Sequence, residues 1–116
     1  MKEDLARRRC KPCEGGLPPL TREQSGQLLR ALHAGWSLGN DGLSITRRFE
    51  FPAYNETLGF ANAVARIAID EDHHPVLTIA YDSCEVSYTT HAINGLSDND
   101  FICAAKIDRL AEATAQ

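Results

Sequence analysis

Three of the four histidines in this chain fall within a short span: His73 and His74, adjacent and followed by Pro75, and then His91. Imidazole both gives and takes a proton near neutral pH. Three of them around one pocket would suit acid–base catalysis, and also a metal ion. Adjacent histidines reach a single ion awkwardly, and no third-ligand motif accompanies them. Proton transfer at a pocket lined by His73, His74 and His91, with no metal, is therefore the expectation. Cys10-Lys11-Pro12-Cys13 is half a zinc motif without a second half. It reads as a pair of tail cysteines of no catalytic role, with an adventitious metal or a disulfide in oxidant as alternatives. Cys84 and Cys103 read as small core residues. Asp100 stands three residues after Ser97 at a helix start, where free N–H groups favour a carboxylate. Trp36 and Tyr81 read as core aromatics that would stack on a flat heterocycle if they reached a pocket rim.

These residues must be positioned by one domain. The chain has 116 residues, 43% hydrophobic and 24% charged, the composition of a globular protein that buries a core without staples. A net charge of −4 argues against nonspecific nucleic-acid binding, which needs clustered Lys and Arg. No run approaches the ~20 apolar residues that span a bilayer. The charged start leads into no signal-peptide core, so the cytosol and reduced cysteines are expected.

Residues 1–20, rich in Pro and Gly, read as a flexible leader carrying the CxxC pair, and residues 21–116 as a single domain. Thr21 and Gln24 form a capping box for a helix with Leu28, Leu29 and Leu32 on its apolar face, ending by Gly35. Trp36 to Leu38 is a short strand, and Gly39-Asn40-Asp41-Gly42 has hairpin-turn chemistry. Alternation then puts Leu43, Ile45, Phe49 and Phe51 on one face of a second strand, with Arg47 interrupting the row. Pro52 opens a helix to about Asp72 with two apolar stripes, one through Tyr54, Leu58 and Ala65, the other through Phe60, Val64 and Ile67. Two stripes imply two packing partners, the sheet and a second subunit. Pro75 stops this helix. Val76 to Tyr81 and Glu85 to His91 are the third and fourth strands, paired so that His91 faces the start of the third. Ser97 to Asp100 begins a last helix. The fold class is α+β: a four-stranded antiparallel sheet with three helices on one face.

The run Asp72-His73-His74-Pro75, followed at fixed spacing by Tyr81, His91 and Asp100, resembles the signature of the pterin-4a-carbinolamine dehydratases. Thr90 through Ile102, then Ala104 through Asp108, are similar as well, and the likeness extends back through Phe49-Glu50-Phe51 and Phe60 over roughly residues 21–112. The CxxC leader resembles that of some bacterial members. The resemblance implies dehydration of 4a-hydroxytetrahydropterin to quinonoid dihydropterin, which recycles the cofactor of aromatic amino-acid hydroxylases in the cytoplasm. It implies no metal or organic cofactor. His73 and His91 would be the acid–base pair, and His74 would orient the pterin or share proton transfer. Asp100 would help hold the site in order, and with Tyr81 and Trp36 would help hold the substrate. A homodimer or homotetramer is implied too. Two alternatives stay open: another pterin pathway such as molybdenum-cofactor metabolism, or a non-catalytic binding and dimerisation module, since animal members assist a homeodomain transcription factor. The chain departs from the family at Ile69, where a polar or acidic residue usually stands four before the first histidine. Asp70 is the expected partial substitute, with Glu71 and Asp72 close as well, and slower turnover is the expected result.

Overall fold

The computed structural model describes residues 4–12, 15 and 17–114. A four-stranded antiparallel sheet and three helices make up the fold: α1 (Arg22–Leu29), β1 (Ser37–Leu38), β2 (Ile45–Glu50), α2 (Tyr54–Glu71), β3 (Val76–Ile79), β4 (Ser83–Tyr88) and α3 (Asp98–Thr114). The strand order is β1-β2-β4-β3, so two hairpins join through the central β2–β4 pair. Register fixes what each face carries. Ile45 lies opposite Tyr88, Arg47 opposite Val86 and Phe49 opposite Cys84, and all but the arginine are buried. The alternate pairs, Thr46 with Ser87, Arg48 with Glu85 and Glu50 with Ser83, are polar and occupy the other face. The helices cover the apolar face, where Phe49 meets Phe60 of α2 at 4.6 Å between ring centroids. Val64, Phe101, Ile102 and Ile107 complete the core.

Local chemistry sets the ends of the helices. Thr21 and Gln24 form the reciprocal capping box at the start of α1. The end of α2 differs from the expectation: Pro75 does not stop the helix. Asp72 turns into the left-handed region, with φ 54° and ψ 43°, and its N–H and that of His73 both return to the Ala68 carbonyl. This cap closes the helix before the proline is reached.

Other boundaries are shorter than the alternation suggested. Leu43 is exposed and precedes β2, and β4 ends at Tyr88. His91 instead opens a 3-10 turn, His91–Ile93, closed by Asn94 at φ 54° and by a bridge between Thr90 and Gly95. Gly95 is needed there, since a Cβ would stand 2.6 Å from Pro19. The hairpin register pairs Val76 with Ser87, so the expected strand pairing of His91 gives way to this turn.

Arg47 interrupts the apolar row because it has a partner beneath the sheet. Its guanidinium lies 4.2 Å above the Phe49 ring and donates to Asp108 at 2.6 Å. The other donors to Asp108 are Trp36 Nε1 at 2.7 Å and the His33 backbone at 2.9 Å. A buried ion is tolerated only when its hydrogen-bonding capacity is filled in this way.

Within residues 4–12 the leader makes specific contacts with the domain. Leu5, on a 3-10 turn at Leu5–Arg7, is buried against α3. Asn99 clamps the Lys11 backbone, accepting from its N–H at 3.0 Å and donating to its carbonyl at 2.6 Å. Cys13 lies outside the described residues.

Candidate active site

The cap at Asp72 sends the chain sharply off α2 and places His73 and His74 at the sheet end. His73 Nε2 lies 2.6 Å from Asp100 Oδ1, and its ring stacks on Tyr88 with centroids 5.3 Å apart and planes 15° from parallel. Only 13% of the His73 side chain is exposed, and none of Asp100 is. Asp100 reaches this position as the third residue of α3. Its Oδ2 accepts from the Ser97 backbone N–H at 2.9 Å and from Thr90 Oγ1 at 2.8 Å. One carboxylate therefore does both jobs considered from sequence: one oxygen caps α3 and the other holds His73. Charge-assisted hydrogen bonds of this kind contribute about 1.5–3 kcal/mol each.

A cavity of about 590 Å³ opens beside this pair. His73, His74 and His91 all line it, as do Asp72, Thr89 and Thr90. His74 and His91 are exposed to the solvent in the cavity, whereas His73 forms its inner wall. The expected convergence of three imidazoles occurs, though His91 arrives by a 3-10 turn and not by a strand. Cys10, Lys11 and Pro12 of the leader line it as well. Cys10 is held there by its N–H, which donates to Glu71 Oε1 at 2.7 Å.

Burial alone would lower the pKa of His73. The hydrogen bond and negative charge of Asp100 outweigh it, with smaller contributions from Cys103 and Asp72, and the pKa rises above the ordinary imidazole value. With Nε2 committed to Asp100, Nδ1 is the ring nitrogen left for a ligand. For Glu71, burial raises the pKa, but the Cys10 N–H, Lys106 and Arg9 together reverse this and lower it. Among the described residues, no group of three or more His, Cys, Asp or Glu side chains is arranged to hold a metal ion.

Several expected site residues lie elsewhere. Trp36 is buried and spends its one N–H on Asp108. Tyr81 is 65% exposed at the β3–β4 turn and stacks on Tyr54. Neither is brought to the cavity. Asp100 is wholly buried behind His73, so it positions the imidazole and does not face the cavity itself. Asp70 does not substitute for the residue lost at Ile69, because it pairs with Arg66 at 3.3 Å on the outer surface. The carboxylate beneath His73 comes from α3. Tyr88, Thr90 and Asn99 have no site role in the sequence reading, and Glu71 enters it only as a carboxylate close to the Ile69 position. Nothing local links Glu71 or Asn99 to a leader some 60 to 90 residues away.

A family model described as pterin 4 alpha carbinolamine dehydratase matches residues 18–110. A relative from Nitrosomonas eutropha is 55% identical over 107 residues, spanning 92% of this chain and 93% of its own. Another from Nitrosospira multiformis is 56% identical over 108 residues, spanning 93% of each. Both carry pterin-4-alpha-carbinolamine dehydratase as a provisional name. A solved transcriptional coactivator/pterin dehydratase from Brucella melitensis matches with a TM-score of 0.75 and 34% identity, covering 80% of this chain and 98% of that one. A pterin dehydratase-like protein identified as a RuBisCO assembly factor in the alpha-carboxysome shares the fold, with a TM-score of 0.59 and 22% identity over 68% of this chain and 92% of that one. On the extent of these matches, the chain belongs to the pterin-4a-carbinolamine dehydratase family.

Proposed function

We propose that this chain is a hydro-lyase that converts 4a-hydroxytetrahydropterin to quinonoid dihydropterin and water. The observation that carries the reading is the cavity lined by His73, His74 and His91, with His73 braced by the buried Asp100. Its volume lies within the range typical of small-molecule sites. A hydroxyl leaves readily only as water, and N5 must lose its proton, so one acid and one base are required. His73, held toward its protonated form, donates from Nδ1 to the departing 4a hydroxyl, and the C4a–O bond breaks. The His91 imidazole takes the N5 proton as the C4a–N5 double bond forms. Solvent exchange returns the proton from His91 to His73, closing the cycle. Asp100 keeps Nε2 protonated throughout, much as a triad carboxylate fixes its histidine. His74 orients the bicycle or shares the second transfer. None of these steps calls on a metal or organic cofactor.

The same reading places the protein in the cytoplasm as a cofactor-recycling enzyme, and as a homodimer or homotetramer. No helix among the described residues is long and apolar enough to cross a membrane. Support for self-association comes from the edge strand β3, where Val76 and Ile79 are exposed, and from exposed Tyr54 and Ile69 on α2. Edges and apolar patches of this kind are usually covered. Light scattering on the purified protein checks this, and a strict monomer at micromolar concentration contradicts it.

The catalytic reading is tested by stopped-flow decay of chemically generated 4a-carbinolamine. The protein should accelerate the decay, and His73→Ala and His91→Ala should each lose about 10²- to 10⁴-fold of that acceleration while remaining folded. A wild-type rate equal to buffer removes the enzyme.

A further inference from the structure

Two thiols meet at the cavity wall. Cys10 of the leader and Cys103 of α3 lie with their sulfurs 3.5 Å apart, although 93 residues separate them in sequence. Cys103 is wholly buried, whereas Cys10 is half-buried and borders the cavity, so a small oxidant reaches the pair from that side. The approach is held by its surroundings. The Cys10 N–H is tied to Glu71, Arg9 pairs with Glu71 at 2.9 Å, and Asn99 clamps the next residue from both sides.

We propose that Cys10 and Cys103 form a redox-responsive disulfide, closed by a peroxide oxidant, that staples the leader to α3 at the rim of the cavity. This assigns Cys10 a partner other than its sequence neighbour Cys13. It stands independently of what the cavity turns over.

The two thiols share a hydrogen bond. That bond holds Cys103 below the ordinary thiol range against the effect of burial, with help from the Tyr88 hydroxyl and the charge of His73. The same contact and burial push Cys10 up. In the reaction, the Cys103 thiolate takes the Cys10 proton as the Cys10 sulfur attacks hydrogen peroxide. The O–O bond breaks, leaving the sulfenic acid on Cys10 and a hydroxide, which takes the proton back from Cys103 and leaves as water. The Cys103 thiolate then displaces the sulfenic oxygen: the S–S bond forms, the S–O bond breaks, and that oxygen leaves as a second hydroxide, so one water and one hydroxide are released. The sulfurs lose two electrons and the peroxide gains them. The contact at 3.5 Å must close by about 1.5 Å to reach bonding distance.

The test treats the full-length, natively folded protein with hydrogen peroxide, blocks the remaining thiols, and maps peptides without reduction. The expected product is a Cys10–Cys103 linked pair with loss of two hydrogens per chain, reversed by dithiothreitol. Closing a loop this long should raise Tm by roughly 10 °C over the reduced form. Cys13→Ser should keep both the link and the shift, and Cys10→Ser, which leaves the core intact, should lose both. A Cys10–Cys13 link, sulfinic acid on Cys10 with Cys103 untouched, or zinc copurifying with the thiols would each overturn the proposal.

Discussion

Replacing Asp100 with Asn asks how much of the acid strength of His73 comes from one buried carboxylate. Asn keeps the volume and one acceptor, but removes the charge 2.6 Å from Nε2. The opposite charge of Asp100 is what lifts His73 above the ordinary imidazole value, so the variant's His73 should titrate lower. If His73 donates as the imidazolium, the alkaline limb of kcat/KM moves down with it. Above both pKa values the rate then falls, by no more than the ~10²- to 10⁴-fold that a positioned general acid contributes, partly offset because a stronger acid transfers its proton more readily. Stability should also drop by about 1.5–3 kcal/mol for the lost charge-assisted bond. The sign of its pH dependence follows from the raised pKa of His73. That contribution is fully present below the ordinary imidazole value and is lost as pH rises through the folded value, so the deficit of the variant should shrink in alkali. The assay is stopped-flow dehydration across neutral pH, paired with urea unfolding at each pH. Ser97→Ala is the control: it weakens the α3 cap by about 1 kcal/mol and leaves the limb in place. A folded Asn variant whose limb does not move would show that Asp100 only caps a helix, and would refute the role assigned to it.

Three further outcomes follow from the same geometry. The pKa of Glu71 is lowered, so its grip on the leader is present above the ordinary carboxylate value and fails as pH falls through the folded one; Glu71→Gln should speed hydrogen exchange at the Cys10 amide at neutral pH as acid does in the wild type. Asp108→Ala strands the Arg47 guanidinium and the Trp36 N–H and should cost about 3–5 kcal/mol in urea unfolding, with the kcat of the folded fraction unchanged because the network stands apart from the cavity. Ile69 is 63% exposed and His73 already has its carboxylate, so Ile69→Glu should change kcat/KM less than about threefold, the size expected of an exposed charge; a larger gain would restore the earlier expectation that this position limits turnover.

The fold was legible where local chemistry decides it. The Thr21–Gln24 box, the alternation that puts Ile45 and Phe49 on one face of β2, and the Ser97–Asp100 start of α3 are each written within a few residues. Strand ends were less so. His91 was read onto a strand because alternation continues through it, while the bridge between Thr90 and Gly95 and the approach of Pro19 to Gly95 turn the chain first. The three histidines were visible as a cluster. What organises them was legible only through the family resemblance, which gave Asp100 the task of holding the site in order, and not from local spacing. Asp100 serves His73 from 27 residues away, and a local carboxylate such as Asp70 looked the better candidate only because helix spacing is what a sequence displays. Trp36 and Tyr81 were placed by aromatic chemistry, yet one N–H was committed to Asp108 and one ring to Tyr54. Leader residues carry no periodicity, so their anchoring by Glu71 and Asn99 belongs wholly to tertiary contacts.

The most direct measurement is a crystal structure of the protein with a reduced, non-reacting dihydropterin. The bicycle should lie in the cavity between the leader and the 3-10 turn, with its C4a–N5 edge within hydrogen-bond reach of His73 Nδ1 and of the His91 ring, and with the His73–Asp100 contact intact. A pterin bound elsewhere on the chain, or lying in the cavity with that edge turned away from both imidazoles, would contradict it.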